Sequence, residues 1–268
     1  MLLAVDVGNT QTALGLFDKG KTLVSSGRIP TVATHNTEEL LTAVCTMFAC
    51  ENADERMLKR AVIACVVPVL TEPWIECCHR IGIDDITVVD ASTVHDLDIA
   101  LDDPSEAGAD RLANAIGAKA RYHTPVIVVD FGTATTIDVI DRAGAYRGGI
   151  ISPGLETSAD ALYRHAARLS QIELTVLPQV IGTSTTTAVQ SGLVYGEVSK
   201  VDGLVTRIIE ELAKTDGDAE PTVVATGGLA EMLAPFSTTV EQVDRDLTLY
   251  GLCEIASSGS CAVRHQKH

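Results

Sequence analysis

Leu2-Leu3-Ala4-Val5-Asp6-Val7-Gly8-Asn9-Thr10 decides the fold of this chain. It reads as an apolar strand that ends in an acid and breaks on a glycine turn. The same order returns at Val126-Ile127-Val128-Val129-Asp130-Phe131-Gly132-Thr133-Ala134, with Asp130 standing 124 residues (130 minus 6) after Asp6. Gly20 and Gly144, each in a following turn, keep that spacing. Strand, acid, glycine, hydroxyl and second turn agreeing in order make an internal repeat of nearly half the 268 residues. A repeat of that length predicts two similar α/β halves and not a short-period solenoid.

The elements around the two copies support this. Thr12 to Phe17 and Thr22 to Ile29 read as further strands. A helix is predicted from Thr37, with Asn36 and Glu39 at capping-box spacing and Leu40, Leu41, Val44 and Met47 on one face. Ala61 to Val67 is a short buried strand stopped by Pro68, residues 69–81 a helix, and Ile86 to Val89 a strand. In the second half, Ile137 to Ile140 continues the sheet and Gly148-Gly149-Ile150-Ile151-Ser152-Pro153-Gly154-Leu155 leads into a helix. Residues 184–214 are helical, Thr222 to Thr226 a strand, and 247–256 a last helix. The lobes are expected over 1–120 and 121–256, with a disordered tail over 257–268. No low-complexity linker parts them, so they are expected to share a cleft.

Composition narrows the function. There are 36 Asp plus Glu against 20 Lys plus Arg, a net charge of −16, with 46% hydrophobic residues. Such a chain buries a core, and its acidic balance argues against a nucleic-acid partner, whose phosphates it would repel. No apolar run is long enough to span a bilayer. Met1-Leu2-Leu3-Ala4-Val5 lacks the basic start of a signal peptide. The seven cysteines (Cys45, Cys50, Cys65, Cys77, Cys78, Cys253, Cys261) are odd in number and include no CxxC. They are expected to be reduced packing residues of a cytoplasmic protein.

The repeated turns carry chemistry. Alone, Asp6-Val7-Gly8-Asn9-Thr10 could be a plain hairpin turn. Doubled, the two turns suit a nucleotide: backbone N–H groups and hydroxyls for phosphate oxygens, and Asp6 for Mg²⁺ or its waters. No GxxxxGK[ST] is present and no GxGxxG follows a strand, so P-loop and dinucleotide-binding readings fail. Gly227-Gly228-Leu229 after a strand offers backbone to a base or ribose, or is simply a strand-to-helix turn. In Gly108-Ala109-Asp110-Arg111 the acid suits a helix N-terminus, but the arginine does not. An acid that takes a hydroxyl proton beside a cation that orients an anion is what phosphoryl transfer to an alcohol needs.

Taken together, Asp6-Val7-Gly8-Asn9-Thr10, Gly108-Ala109-Asp110-Arg111, Asp130-Phe131-Gly132-Thr133-Ala134-Thr135, Gly148-Gly149-Ile150-Ile151-Ser152-Pro153-Gly154, Gly182-Thr183-Ser184-Thr185 and Thr226-Gly227-Gly228 resemble the type III pantothenate kinase family. That family is a branch of the actin-like, sugar kinase and Hsp70 superfamily. The resemblance runs in order from about residue 1 to 255 and includes Asp246-Leu247-Thr248-Leu249-Tyr250-Gly251-Leu252. It implies two actin-like (ribonuclease H-like) α/β lobes with the active site in the cleft between them. It implies transfer of the γ-phosphoryl of ATP to pantothenate, the first step toward coenzyme A, by a homodimer. Asp6, Val7, Gly8, Asn9, Thr10, Gln11, Thr12 and Ala13 would form the first phosphate loop, with Thr133 a second nucleotide contact. Gly108, Ala109, Asp110 and Arg111 would bind pantothenate, Asp110 acting as base, and Thr185 would reach it across the dimer interface. Asp130 would hold the K⁺ or NH₄⁺ that the family needs beside Mg²⁺.

Two departures bear on substrate affinity. Leu101 stands where the family often has tyrosine, and Leu169-Ser170-Gln171-Ile172 where Leu-Pro-Arg and an aliphatic residue are common. His165 lies in an Ala-rich helix, where packing or surface is the ordinary role. Two rival readings are a superfamily kinase acting on another alcohol, and a non-catalytic nucleotide-binding regulator. Retention of Asp6, Asp110 and Asp130 together argues against the second.

Overall fold

The computed structural model describes residues 1–50, 58–166, 171–215, 217 and 220–258, the side chains of 48–50 excepted. Leu169, Ser170, the Cys50 side chain, Cys261 and the tail beyond residue 258 lie outside the described residues. The chain forms two compact units, Met1–Arg121 completed by the segment from Asp246, and Tyr122–Arg245.

In the first unit β1 (Leu2–Val7), β2 (Gln11–Phe17) and β3 (Leu23–Pro30) form an antiparallel meander, and β4 (Arg60–Cys65) and β5 (Asp85–Val88) run parallel to β1. The sheet order is β3-β2-β1-β4-β5. The second unit repeats the plan with β6 (Val126–Phe131), β7 (Ala134–Ile140), β8 (Tyr146–Pro153), β9 (Thr222–Thr226) and β10 (Gln242–Val243), in the order β10-β9-β6-β7-β8. This is the duplicated actin-like α/β fold. β1 and β6 read as apolar runs because each is the central strand of its sheet, buried on both faces.

The repeat is not a constant offset. β1 and β6 are 124 residues apart, but β2 and β7, and β3 and β8, are 123 apart by their first residues. Asp6 pairs with Ala13, whereas Asp130 pairs with Thr136. The turn after β6 is therefore one residue shorter than the turn after β1. The expected match of Gly20 with Gly144 is corrected by this. Asp18 N–H donates to Thr22 O and Lys21 N–H to Asp18 O, while Asp141 N–H donates to Ala145 O and Gly144 N–H to Asp141 O. The counterpart of Gly144 (φ +81°) is Lys21, which takes the left-handed conformation at φ +62° without being glycine.

In the first unit, α1 (Thr37–Cys50) opens on the expected capping box. Glu39 N–H donates to Asn36 Oδ1 at 3.1 Å, and Asn36 N–H to Glu39 Oε2 at 2.9 Å. α1 and α2 (Thr71–Arg80) cover one face of the sheet, burying Leu40, Val44, Trp74, Cys77 and Cys78 against Val5, Leu14 and Ile63. α3 (Ala109–Arg121) crosses α7 (Leu247–Ser258). At the crossing a Cβ on Gly117 would lie 2.5 Å from the Leu247 carbonyl oxygen and 3.1 Å from Gly251 N, so only glycine fits. Thr248 Oγ1 lies 2.7 Å from Asn114 Oδ1, and Arg121 sits 4.0 Å over the Tyr250 ring. The expected lobe boundary thus differs in one respect: α7 belongs with the first unit.

In the second unit, α4 (Leu155–His165), the 31-residue α5 (Thr185–Thr215) and the short α6 (Ala230–Leu233) pack on the sheet. Leu155, Val194, Val198, Val201, Val205 and Leu233 are buried there. The glycines of Gly148-Gly149 belong to a strand, β8. A Cβ on Gly149 would lie 3.1 Å from Asp138 Cα and closer still to the Ile137 carbonyl, so glycine marks a close strand approach.

Candidate functional site

The first phosphate-loop candidate is the β1–β2 turn. Asp6 is the penultimate residue of β1, half-buried, its backbone between Ala13 of β2 and Ala64 of β4. Gly8 N–H closes the turn onto Gln11 O at 3.0 Å, and a Cβ on Gly8 would stand 2.8 Å from that oxygen. Asn9, Thr10 and Gln11 are exposed at the tip. Val7, Thr12 and Ala13 are buried. The Thr12 hydroxyl lies 2.8 Å from the hydroxyl of Thr31, whose N–H donates to Thr10 O. Thr12 therefore braces the loop, a role that its place in the motif does not reveal.

Asp110 and Arg111 lie in the first turn of α3, both half-buried. Asp110 Oδ1 accepts the Arg111 backbone N–H at 2.8 Å, and Leu112 N–H donates to Gly108 O. A Cβ on Gly108 would stand 2.8 Å from Asp110 Oδ1, so glycine leaves the carboxylate its room. The preceding segment is set by Asp103, which accepts both the N–H and the hydroxyl of Ser105. Those bonds hold the Asp103 carboxyl below its ordinary range. Leu101, just before, is half-buried.

In the second unit, Asp130 is the penultimate residue of β6 and Gly132-Thr133 makes the turn. Gly227 follows β9 at φ +93°, where a Cβ would lie 2.7 Å from Phe131 C and O and closer still to Asp130 Oδ1. The Asp130 carboxylate is thus walled by backbone. Thr133 is exposed, its carbonyl accepting Gly154 N–H at 3.1 Å and Thr157 Oγ1–H at 2.6 Å. The Thr135 hydroxyl points inward to Glu197 Oε1 at 2.6 Å.

Thr185 is the exposed first residue of α5. Ser184 caps that helix, accepting Thr187 N–H at 3.2 Å while Ser184 N–H donates to Thr187 Oγ1 at 3.0 Å. Val180 and Ile181 just before it are 63% and 82% exposed. His165 is exposed at the end of α4, in keeping with a surface role, and Gln171 is also exposed.

Among the described residues, no group of three or more His, Cys, Asp or Glu side chains could hold a metal. An all-protein Mg²⁺ cage is therefore absent from them, and a lone carboxylate such as Asp6 fits Mg²⁺ in its usual form, bound mainly by water and phosphate. The hard oxygens around Asp130 fit an alkali cation. Cys77 and Cys78 are packing residues, as expected. Both thiols lie in the core, where burial pushes each up to about 12. Among the described residues no helix is long and apolar enough to cross a membrane.

Comparison with known proteins converges on one group. The profile of the family described as type III pantothenate kinase matches residues 2–207. A type III pantothenate kinase from Desulforapulum autotrophicum is 42% identical over 96% of both chains. Another, from Roseiflexus castenholzii, is 44% identical over 94% of this chain and 96% of its own. Among solved structures, a Campylobacter jejuni protein assigned to the Baf family of transcriptional activators superposes with a TM-score of 0.56 over 96% of this chain and 98% of its own. At 20% identity it speaks for the fold alone. By its match over almost its entire length, the chain belongs to the type III pantothenate kinase family.

Proposed function

We propose that this chain transfers the γ-phosphoryl group of ATP to the terminal hydroxyl of pantothenate, committing it to coenzyme A synthesis. The observation that carries this reading is the identity of 42–44% to kinases of that name over nearly the whole of each chain.

In this reading Asp110 accepts the proton of the pantothenate hydroxyl as its oxygen attacks the γ-phosphorus. Arg111 and the α3 N-terminus hold the substrate carboxylate or the transferring group by charge. Gly108 and Ala109 complete that turn as backbone. Asp6 through Ala13 cradle the ATP phosphates, with the N–H groups and side chains of Asn9, Thr10 and Gln11 at the tip and Val7, Thr12 and Ala13 as its packed base. Thr133 adds a nucleotide contact. Asp6 would hold, directly or through water, the divalent metal that accompanies ATP, which we take to be Mg²⁺ and which would neutralise charge on the phosphates. Asp130 holds a monovalent cation, K⁺ or NH₄⁺. The rest is positioning and electrostatics.

The working unit is a homodimer in which Thr185 serves the partner's substrate. Two features support this. Val180 and Ile181 expose apolar surface beside Thr185, and α5 presents Gly192, Gly196, Ser199 and Gly203 on an exposed stripe that allows close helix approach. The free thiols of Cys45, Cys65, Cys77, Cys78 and Cys253 support a reducing, cytoplasmic location.

A coupled ATP assay with pantothenate, run in K⁺ and then in Na⁺, tests the reading. Cation-dependent turnover is expected. Turnover confined to other alcohols would redirect the substrate. Asp110→Asn should lose at least about a hundredfold in kcat, the usual worth of a positioned acid or base, with ATP binding unchanged. Full activity in that variant removes Asp110 from the base role.

A further inference from the structure

Glu197 is a carboxylate on the core face of α5, 5% exposed, among Val194, Val198 and Val201. A buried ion pair adds little net stability over a well-packed apolar residue, so its return must lie in geometry. Glu197 Oε1 accepts the Thr135 hydroxyl at 2.6 Å, and Oε2 accepts Lys200 Nζ at 2.8 Å. Lys200 Nζ donates a second bond, also 2.8 Å, to the carbonyl of Pro153. Thr135 is the second residue of β7, just after the turn, and Pro153 ends β8 directly opposite Ala134. Ser152 Oγ closes the set by donating to Thr135 O at 3.2 Å.

We propose that Glu197 and Lys200 are positioning residues for the nucleotide turn Gly132–Ala134, clamping from α5 the two strand ends on which that turn stands. The inference rests on the reading of Thr133 as a nucleotide contact. The other end of the same support comes from α4. Gly154 N–H and Thr157 Oγ1–H grip the Thr133 carbonyl, and a Cβ on Gly154 would lie 2.7 Å from that oxygen. With the carbonyl held from below and Thr135 turned inward, the single exposed hydroxyl at the tip has little freedom to lose when the nucleotide arrives. That preorganisation is what a second layer of contacts supplies to a binding group.

The test compares five variants, Thr133→Ala among them, by steady-state kinetics and melting temperature. Lys200→Met removes both bonds and leaves the Glu197 carboxylate buried without its cation, so a lower melting temperature is expected and is read beside the kinetics, with Thr135→Val as the variant that leaves the ion pair in place. Thr135→Val keeps the shape and deletes the hydroxyl, and Lys200→Arg and Thr135→Ser are the conservative partners. Lys200→Met and Thr135→Val should raise KM for ATP about five- to tenfold, as expected when a buried polar group loses its partner. KM for pantothenate and kcat at saturating ATP should stay within about twofold, with Lys200→Arg and Thr135→Ser restoring most of the ATP affinity. A fall in melting temperature with KM for ATP unchanged, while Thr133→Ala raises it, overturns the positioning role alone. If Thr133→Ala also leaves KM for ATP unchanged, the nucleotide reading of the turn falls, and the inference with it.

Discussion

Gly227→Ala is the substitution on which the structure makes its most quantitative demand. Gly227 sits at φ +93°, where an L-residue is strained, and its missing Cβ would lie 2.7 Å from Phe131 C and O and closer to Asp130 Oδ1. Gly217 is the natural reference. It lies in the same unit at φ +77°, with no described atom within 4 Å of where its Cβ would stand. Backbone strain alone should cost Gly217→Ala about 1–2 kcal/mol. Gly227→Ala adds an overlap with β6, a central strand that cannot yield, worth about 1–3 kcal/mol more as overpacking. At about 2–4 °C per kcal/mol, Gly227→Ala should melt roughly 2–12 °C below Gly217→Ala. The carboxylate of Asp130 is the more movable neighbour, so stimulation of turnover by K⁺ over Na⁺ should fall in Gly227→Ala and persist in Gly217→Ala. Differential scanning calorimetry and the coupled assay read both effects. Equal melting points in the two variants would refute the crowding argument.

Further expectations concern other parts of the chain. The homodimer proposed above predicts that Gly196→Arg gives monomer in light scattering while staying folded by circular dichroism, because no described atom lies within 4 Å of its Cβ position; a variant that stays dimeric moves the interface elsewhere. Asn36→Ala removes one arm of the α1 capping box and should cost about 1 kcal/mol in urea denaturation, with kcat and both KM values unchanged. Burial raises the Cys77 and Cys78 thiols to about 12 and Cys253 to about 11. The unfolded chain ionises those thiols near pH 9 and the folded chain does not. Their contribution to stability is therefore fully present below pH 9 and lost as pH rises toward 12, which denaturation curves at pH 8, 9 and 10 would show as a progressive decline.

Much of this fold was legible because its signals are local. β1, β6 and β9 are continuous apolar runs ending at glycine turns, and the α1 capping box is written in two residues three apart. What escaped depends on partners far along the chain. β8 hides behind Gly148-Gly149, whose purpose becomes clear only against the Ile137 carbonyl. α7 reads as the end of the second half, yet its glycine at 251 fits the glycine at 117. Spacing matched Gly20 to Gly144 by chance, because Lys21 takes a left-handed conformation that sequence assigns to glycine or asparagine. At the candidate site, Asp110 stood out because Arg111 is misplaced for a helix dipole. Glu197 and Thr12 carry no such mark, since a motif does not say which way a hydroxyl or a carboxylate turns.

The turn after β6 is one residue shorter than its counterpart after β1. The shorter turn leaves one exposed hydroxyl at its tip, that of Thr133, with its carbonyl tied to Gly154 and Thr157, whereas the longer turn after β1 exposes Asn9, Thr10 and Gln11 side by side. One plan thus ends in a single fixed finger in one copy and in a broader pad in the other, so that a change of side chain can be absorbed by its neighbours only in the longer turn.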